Sequence, residues 1–296
     1  MSLPCLIQDL IPQKGKMSFR QRLNKAEDDD SESIITISND NIFLDDNKQL
    51  SNSVLIEFIN QLNAAVSGYN YKYRNKPAQK GLFVGLQDAA FYKPAYFDNS
   101  LTLKTFITEE VAQVTFIKGI IYRDKEKLAE LVTKIYKVAD MAEFDLLIDP
   151  GNAVKGKSGF KSDQQPPSFL FSNLQRKLYT YLDDFKTGAD FISFTIACPE
   201  DFEAFDGHFP GNPILPGIIL LEIANLALQL FMKKPVFLKT IKKMKISSVV
   251  LPNQAISCII KIVKDNDGFF SFSATFKDGA ERDVSRFNGT FEGREQ

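Results

Sequence analysis

Leu55–Gln61 reads LIEFINQ, and Leu220–Leu226 reads LLEIANL. The two stretches lie a fixed 165 residues apart, so Glu57 falls on Glu222 and Asn60 on Asn225. An acid followed three residues later by asparagine occupies one face of a helix. Both stretches sit in the most apolar helical segments of the chain, where an unpaired charge is expensive. Duplication kept for packing explains a repeated fold. It does not explain a repeated carboxylate.

Working outward, the surroundings repeat as well. The first half has a strand pattern at Ile34–Ile37, a loop, a helix over about Ser53–Gly68, and strand patterns at Leu82–Leu86, Leu101–Ile107, Gln113–Arg123 and Leu128–Val138. The second has a strand at Phe191–Cys198, a loop, a helix over about Gly217–Lys233, and strands at Phe237–Ile246, Ile256–Val263, Phe269–Phe276 and Asp283–Phe291. Lys233 and Lys234 are expected in the last turn of that helix, with Pro235 stopping it. One long apolar helix followed by several antiparallel strands predicts an α+β fold, a sheet curled around a buried helix, built twice. Between the halves, Ala139–Asn173 holds DPGN, GKSG and DQQPP, a run of turn formers. The expected division is a repeat at 1–140, a linker at 141–172 and a repeat at 173–296.

Composition bounds the function. The 296 residues are 44% apolar and 25% charged, enough to bury a core, and the formal net charge is -1. Such balance gives no case for nucleic acid or an anionic membrane surface. Cys5, Cys198 and Cys258 are widely spaced and form no CxxC pair, which fits reduced thiols and a cytoplasmic location rather than disulfides or zinc. Met1–Lys14 lacks the pattern of a signal peptide. The apolar run Pro213–Met232 contains Pro216, Glu222, Asn225 and Gln229, so it reads as a core helix, not a membrane span. No phosphate loop, metal-ligand cluster or nucleophile motif is present, so no metal or cofactor is expected.

The chain has a single histidine, in Asp206–Glu222, DGHFPGNPILPGIILLE. This stretch resembles the signature of the 3-hydroxyacyl-acyl-carrier-protein dehydratases. There, GHFPG precedes a PG at the start of the central helix and a carboxylate follows fourteen residues after the histidine, the spacing of His208 and Glu222 here. IQDLIPQKGKM (Ile7–Met17) and GLFVGLQDAAFYKPAYFDNSLTLK (Gly81–Lys104) look like the N-terminal segment and two strands of the same superfamily. The second half, with LKTIKKMKISSVVLPNQAISCIIKI (Leu238–Ile262), is most similar to the histidine-bearing partner of the two-component aryl-polyene dehydratases. The first half looks like the partner that lacks the histidine loop, so the chain resembles a fusion of the two.

The resemblance implies a double hot-dog fold forming a pseudo-dimer, with each site made by a histidine of one fold and a carboxylate from the other's helix. His208 should then meet Glu57. The mirror site would pair Glu222 with position 43, which is Phe43, so one live site and one dead one are expected. His208 would take the α-proton, its free pKa lying near neutrality. Glu57, its pKa raised by desolvation, would donate to the departing hydroxyl. Backbone N–H groups around Gly217, or the equivalent Asn52, would hold the enolate oxygen. Phe209 and Gly211 belong to the loop presenting His208, and Gly207 and Pro210 shape it. Glu222 and Gln61 are weaker candidates. Gln61 matches the family's glutamine four after the acid, whereas the second helix has Leu226 there. Asn60 and Asn225 are expected to be structural, satisfying buried backbone or carboxylates.

The implied substrate is a 3-hydroxyacyl thioester carried on the phosphopantetheine of an acyl carrier protein, and the product a trans-2-enoyl thioester of fatty-acid or polyene synthesis. Carrier proteins are acidic, so Lys239, Lys242, Lys243 and Lys245 are a candidate docking run, although alternate residues of a strand also make an ordinary solvated face. Whether two chains associate is left open. A hot-dog acyl thioesterase and a non-catalytic acyl-binding or scaffold protein are the competing functions.

Overall fold

The structure, a computed structural model, describes residues 3–27, 29–77, 80–138, 165–169, 172–208, 211–264 and 269–294. The expected linker lies almost wholly outside these residues. In Val114–Arg123 and Phe191–Ala197 buried side chains alternate with half-exposed ones, the period of a strand with one face on a core.

The strands are β1 (Cys5–Leu6), β2 (Gln21–Ala26), β3 (Ser31–Thr36), β4 (Lys80–Phe91), β5 (Ser100–Val111), β6 (Val114–Arg123), β7 (Glu126–Val138), β8 (Leu182–Thr187), β9 (Phe191–Ala197), β10 (Val236–Ile246), β11 (Ala255–Lys264), β12 (Phe270–Asp278) and β13 (Asp283–Gly293). Among the described residues these 13 form one sheet in the order β1-β2-β3-β5-β6-β7-β4-β10-β13-β12-β11-β9-β8. Read inward from each edge, β2-β3-β5-β6-β7-β4 and β8-β9-β11-β12-β13-β10 are the same order, so the halves repeat and meet edge to edge. The seam is the antiparallel pair of β4 and β10, where Ala89 faces Ile241 and Leu86 faces Met244.

Each half folds over one helix, α1 (Val54–Arg74) and α3 (Gly217–Met232), the double hot-dog arrangement expected from the sequence. α1 and α3 touch across the seam. A short helix, α2 (Asn173–Tyr179), capped by the Ser172 hydroxyl accepting from Gln175 N–H, packs on α3.

Several boundaries differ from the expected ones. α1 runs past Gly68 to Arg74 and ends at Asn75 in the left-handed conformation, because Gly68 is a point of close approach to Leu10 and not a stop. α3 ends at Met232, with left-handed Lys233 as its cap, so Lys233 and Lys234 follow the helix and are not in its last turn. β1, β2, β8 and α2 carry no periodic apolar signal of the kind that marks the others. β2, for instance, reads QRLNKA and gains its place by pairing with β3 and β1. No helix among the described residues is long and apolar enough to cross a membrane. The three cysteines are free and buried.

Candidate active site

The loop before α3 is fixed by its own backbone. The His208 N–H donates to the Phe205 carbonyl at 3.1 Å, and the Ile214 N–H donates to the His208 carbonyl at 2.9 Å. Leu215 N–H donates to Val250 at 2.8 Å, tying the loop to the segment after β10. Gly207 has φ of 76°, and a Cβ there would lie 2.6 Å from the Lys14 backbone. Only glycine allows that approach, which lets the Lys14 N–H reach the Gly207 carbonyl at 3.2 Å. Asp206–His208 is thus held by a segment of the other half.

His208 is 9% exposed, and its Nδ1 lies 3.1 Å from the Ile214 carbonyl oxygen. A carbonyl can only accept, so Nδ1 carries the proton and Nε2 is the basic nitrogen. Burial lowers the imidazole pKa from 6.5 to about 4, so at neutral pH the ring is uncharged.

A cavity of about 1060 Å³ opens beside this ring between the two halves. His208, Ile214, Gly217 and Leu220 line it from the C-terminal half, and Glu57 and Asn60 of α1 from the other. Glu57 is 5% exposed, and desolvation raises its pKa from 4.5 to about 7, against the opposing effects of hydrogen bonds from Gln61 and Asn60. Gln61 Nε2 donates to Glu57 Oε1 at 2.9 Å and to the Met17 carbonyl at 2.6 Å, which fixes the carboxyl on α1. The cavity follows α1 from Glu57 to Tyr71, a run of about 21 Å at ~1.5 Å per residue. One cavity is therefore lined by a neutral base from one half and, from the other, an acid that is partly protonated near neutrality.

Glu222 faces elsewhere. It is fully buried, it accepts from the hydroxyls of Ser51 and Ser53, and Gln175 Nε2 donates to its other oxygen at 2.7 Å. Gln229 in turn donates to Gln175 at 2.7 Å. The mirror region retains only about 10 Å³, beside Asn52 and Asn225. Phe43 is completely buried. Asn52 Nδ2 donates to the Leu238 carbonyl at 3.0 Å, so the Asn52 end of α1 is sealed while the Gly217 end of α3 is open to the large cavity.

The remaining sequence-derived candidates separate cleanly. Gly211, with φ of 85°, is exposed and does not line the cavity, a placement that suits the turn-shaping expected of it. Phe209 and Pro210 lie outside the described residues. Asn60, expected to satisfy backbone or a carboxylate, lines the cavity beside Glu57, and its side chain favours the charged form of that carboxyl. Lys242, Lys243 and Lys245 are exposed on β10, where a register shift between Lys242 and Lys245 breaks strict alternation, and Lys239 pairs with Glu292 at 3.4 Å. None of the four lines the cavity. Sequence reasoning missed Gln13, whose buried side chain also lines the cavity, and Gln175, whose role depends on a fold contact with no periodic signal. Among the described residues no cluster of side chains is disposed to hold a metal ion.

Comparison with known proteins adds a second line of information. A family model of ApeP-like dehydratases matches residues 5–145, and one of ApeI-like dehydratases matches 185–286. The curated 3-hydroxyacyl-[acyl-carrier-protein] dehydratase FabZ of Levilactobacillus brevis is 32% identical over 80 residues, 25% of this chain and 54% of its own length. Its namesake from Lactiplantibacillus plantarum is 35% identical over 85 residues, 26% of this chain and 58% of its own. The chain thus spans little more than half the length of these relatives. Among solved structures, the dehydratase domain of RzxB from Pseudomonas fluorescens superposes with a TM-score of 0.52 at 14% identity, covering 88% of this chain and 94% of that one. A 12:0-ACP thioesterase from Umbellularia californica gives 0.57 at 6% identity, covering 90% and 94%. At these identities the two structures speak for the fold alone.

Proposed function

We propose that this chain, which belongs to the hot-dog dehydratases and joins an ApeP-like half to an ApeI-like half, removes water from a 3-hydroxyacyl thioester at the large cavity between its halves. The observation that carries this reading is that His208 of one half and Glu57 of the other line the same cavity, while Glu222 does not.

The thioester lies with its α-carbon at His208 and its 3-hydroxyl at Glu57. Nε2 takes the α-proton, and the electron pair moves toward the thioester carbonyl. The resulting enolate oxygen needs donors, and the first N–H groups of α3, around Gly217, have no partner within the helix. As the C3–O bond breaks, protonated Glu57 gives its proton to the leaving hydroxyl, and water departs. A double bond forms between C2 and C3, giving a 2-enoyl thioester, which we assign the trans geometry. The protonated imidazole and the glutamate carboxylate then return to their starting states by exchange with solvent. A buried imidazole with a pKa near 4 is a weak base, so polarisation of the thioester carbonyl must acidify the α-proton.

An acyl carrier protein with its phosphopantetheine arm is the carrier we assign. The FabZ relatives are named for such substrates, and a slot of about 21 Å suits an extended thioester chain. Fatty-acid or polyene assembly is the setting that matches.

Incubation with paired 3-hydroxyacyl and plain acyl thioesters tests the reading. Loss of water with the thioester intact supports it. Release of free thiol instead identifies a thioesterase, and no turnover of either, unchanged in His208→Ala, identifies an acyl-binding scaffold.

A further inference from the structure

A single tight turn, Gly15–Met17, is tied to the supports of both His208 and Glu57. On one side it meets the histidine loop. The Lys14 N–H donates to the Gly207 carbonyl at 3.2 Å. Gly15 has φ of 58°, and a Cβ there would fall on the Asp206 carboxyl and 2.9 Å from the Asp206 carbonyl oxygen. Gly15 and Gly207 therefore interlock, each in a backbone conformation that L side chains rarely adopt. On the other side the turn meets the acid. Met17 is fully buried, and its carbonyl accepts from Gln61 Nε2 at 2.6 Å, while the same nitrogen donates to Glu57 at 2.9 Å. The Lys14 ammonium donates back to the Gln8 carbonyl at 2.8 Å and so secures the segment before the turn.

Resting on the dehydratase reading, we infer that this turn sets the placement of His208 relative to Glu57, and that Gly15 is its positioning residue. The base and the acid come from different halves, and two proton transfers on one substrate need them held in register. The mirror copy sharpens the assignment. There the Leu174 N–H donates to the Ile42 carbonyl at 3.3 Å, and Ile42 stands 165 residues before Gly207, so the crossing itself is common to both halves. The interlock and the second link are not. Ile42 takes the place of Gly207, Thr180 stands 165 residues after Gly15, and Leu226 stands where Gln61 would bond the turn. Crowding at Gly15 thus has a signature of its own: it lifts the loop from the imidazole and draws the Met17 carbonyl from Gln61.

His208 is the chain's single histidine, so NMR of the full chain carrying isotope-labelled histidine follows its titration directly. The wild-type ring should titrate near 4, and in Gly15→Ala the midpoint should move up toward 6.5 as water reaches the ring. Turnover of a 3-hydroxyacyl N-acetylcysteamine thioester should fall ~10²-fold in kcat with KM nearly unchanged. Its alkaline limb should move above 7 as Gln61 loosens from Glu57. Asp206→Ala in the Gly15→Ala background removes the nearest obstacle and should recover part of each change. Gly289→Ala on β13, where a Cβ would collide with the Thr240 carbonyl oxygen, controls for destabilisation alone and should keep the ring titrating near 4. Should Gly15→Ala not fold, Lys14→Ala, which frees the Gln8 carbonyl, must give a smaller shift in the same direction, and its absence overturns the inference. A wild-type midpoint in folded Gly15→Ala overturns it as well, as does an equal shift in Gly289→Ala. A wild-type protein that shows the expected titration but removes no water would instead sink the dehydratase reading itself.

Discussion

His208 and Ile214 hold each other twice: the ring's Nδ1–H donates to the Ile214 carbonyl at 3.1 Å, and the Ile214 N–H donates to the His208 carbonyl at 2.9 Å. The same two residues set the tautomer, the ring's direction and the turn that leads into α3. A neutral imidazole with its basic nitrogen at Nε2 follows from that geometry and from burial, without any charged partner.

The two helical acids should behave oppositely. Glu57→Gln removes the proton donor and should cost ~10²-fold or more in kcat, the usual size for a general acid. Glu222→Gln should leave the turnover of folded protein nearly intact but lower Tm, because an N–H₂ group replaces one of two acceptor oxygens, of which one accepts from Ser51 and Ser53 and the other from Gln175. The cost should be about 1–3 kcal/mol, the range for disrupting buried hydrogen bonding. Thermal melts beside initial rates separate the two, and equal rate losses would reject the one-site account.

The activity profile should be bell-shaped. Rate rises as His208 loses its proton, near pH 4, and falls as Glu57 ionises, near pH 7. Gln61 donates to the carboxylate and so lowers the Glu57 pKa. Gln61→Leu should therefore move the alkaline limb upward and leave the acid limb in place, as read from kcat/KM across pH.

Stability should respond to the same groups. The Glu57 pKa is raised on folding, so its stabilising effect is complete below its unfolded value of 4.5 and is lost as pH rises through about 7. The His208 pKa is lowered, so its contribution is present above 6.5 and is lost as pH falls through about 4. Tm should fall on both sides, and Glu57→Gln should flatten only the alkaline side. A variant melting curve parallel to wild type at high pH would contradict this.

Gly68 offers a test of the cavity wall. A Cβ there would lie 2.2 Å from the Leu10 carbonyl oxygen, a backbone atom with little room to move. Gly68→Ala should cost about 1–3 kcal/mol and raise KM, because it displaces the segment that carries Gln13. Denaturant melts and KM measured together check the coupling.

Much of this architecture was legible in the sequence because its signals are local. The 165-residue offset aligned Glu57 with Glu222, and the histidine motif with its missing counterpart at Phe43 implied one equipped site. The strands with clean alternation, such as β6 and β9, were also readable. What escaped depends on contacts distant in sequence. β2 and β8 are polar strands recruited by neighbours, and Gln175 reaches Glu222 only because α2 packs on α3. Asn60 was readable as a repeated residue, but its place on the cavity wall beside Glu57 is a property of the folded surroundings.

The most direct test follows 3-hydroxyacyl N-acetylcysteamine thioester through mass spectrometry with wild type, His208→Gln, Glu57→Gln and Glu222→Gln side by side. The account predicts loss of one water with the thioester intact in wild type and Glu222→Gln, and near-abolished loss in the other two. Retention of full dehydration by either His208→Gln or Glu57→Gln would contradict it.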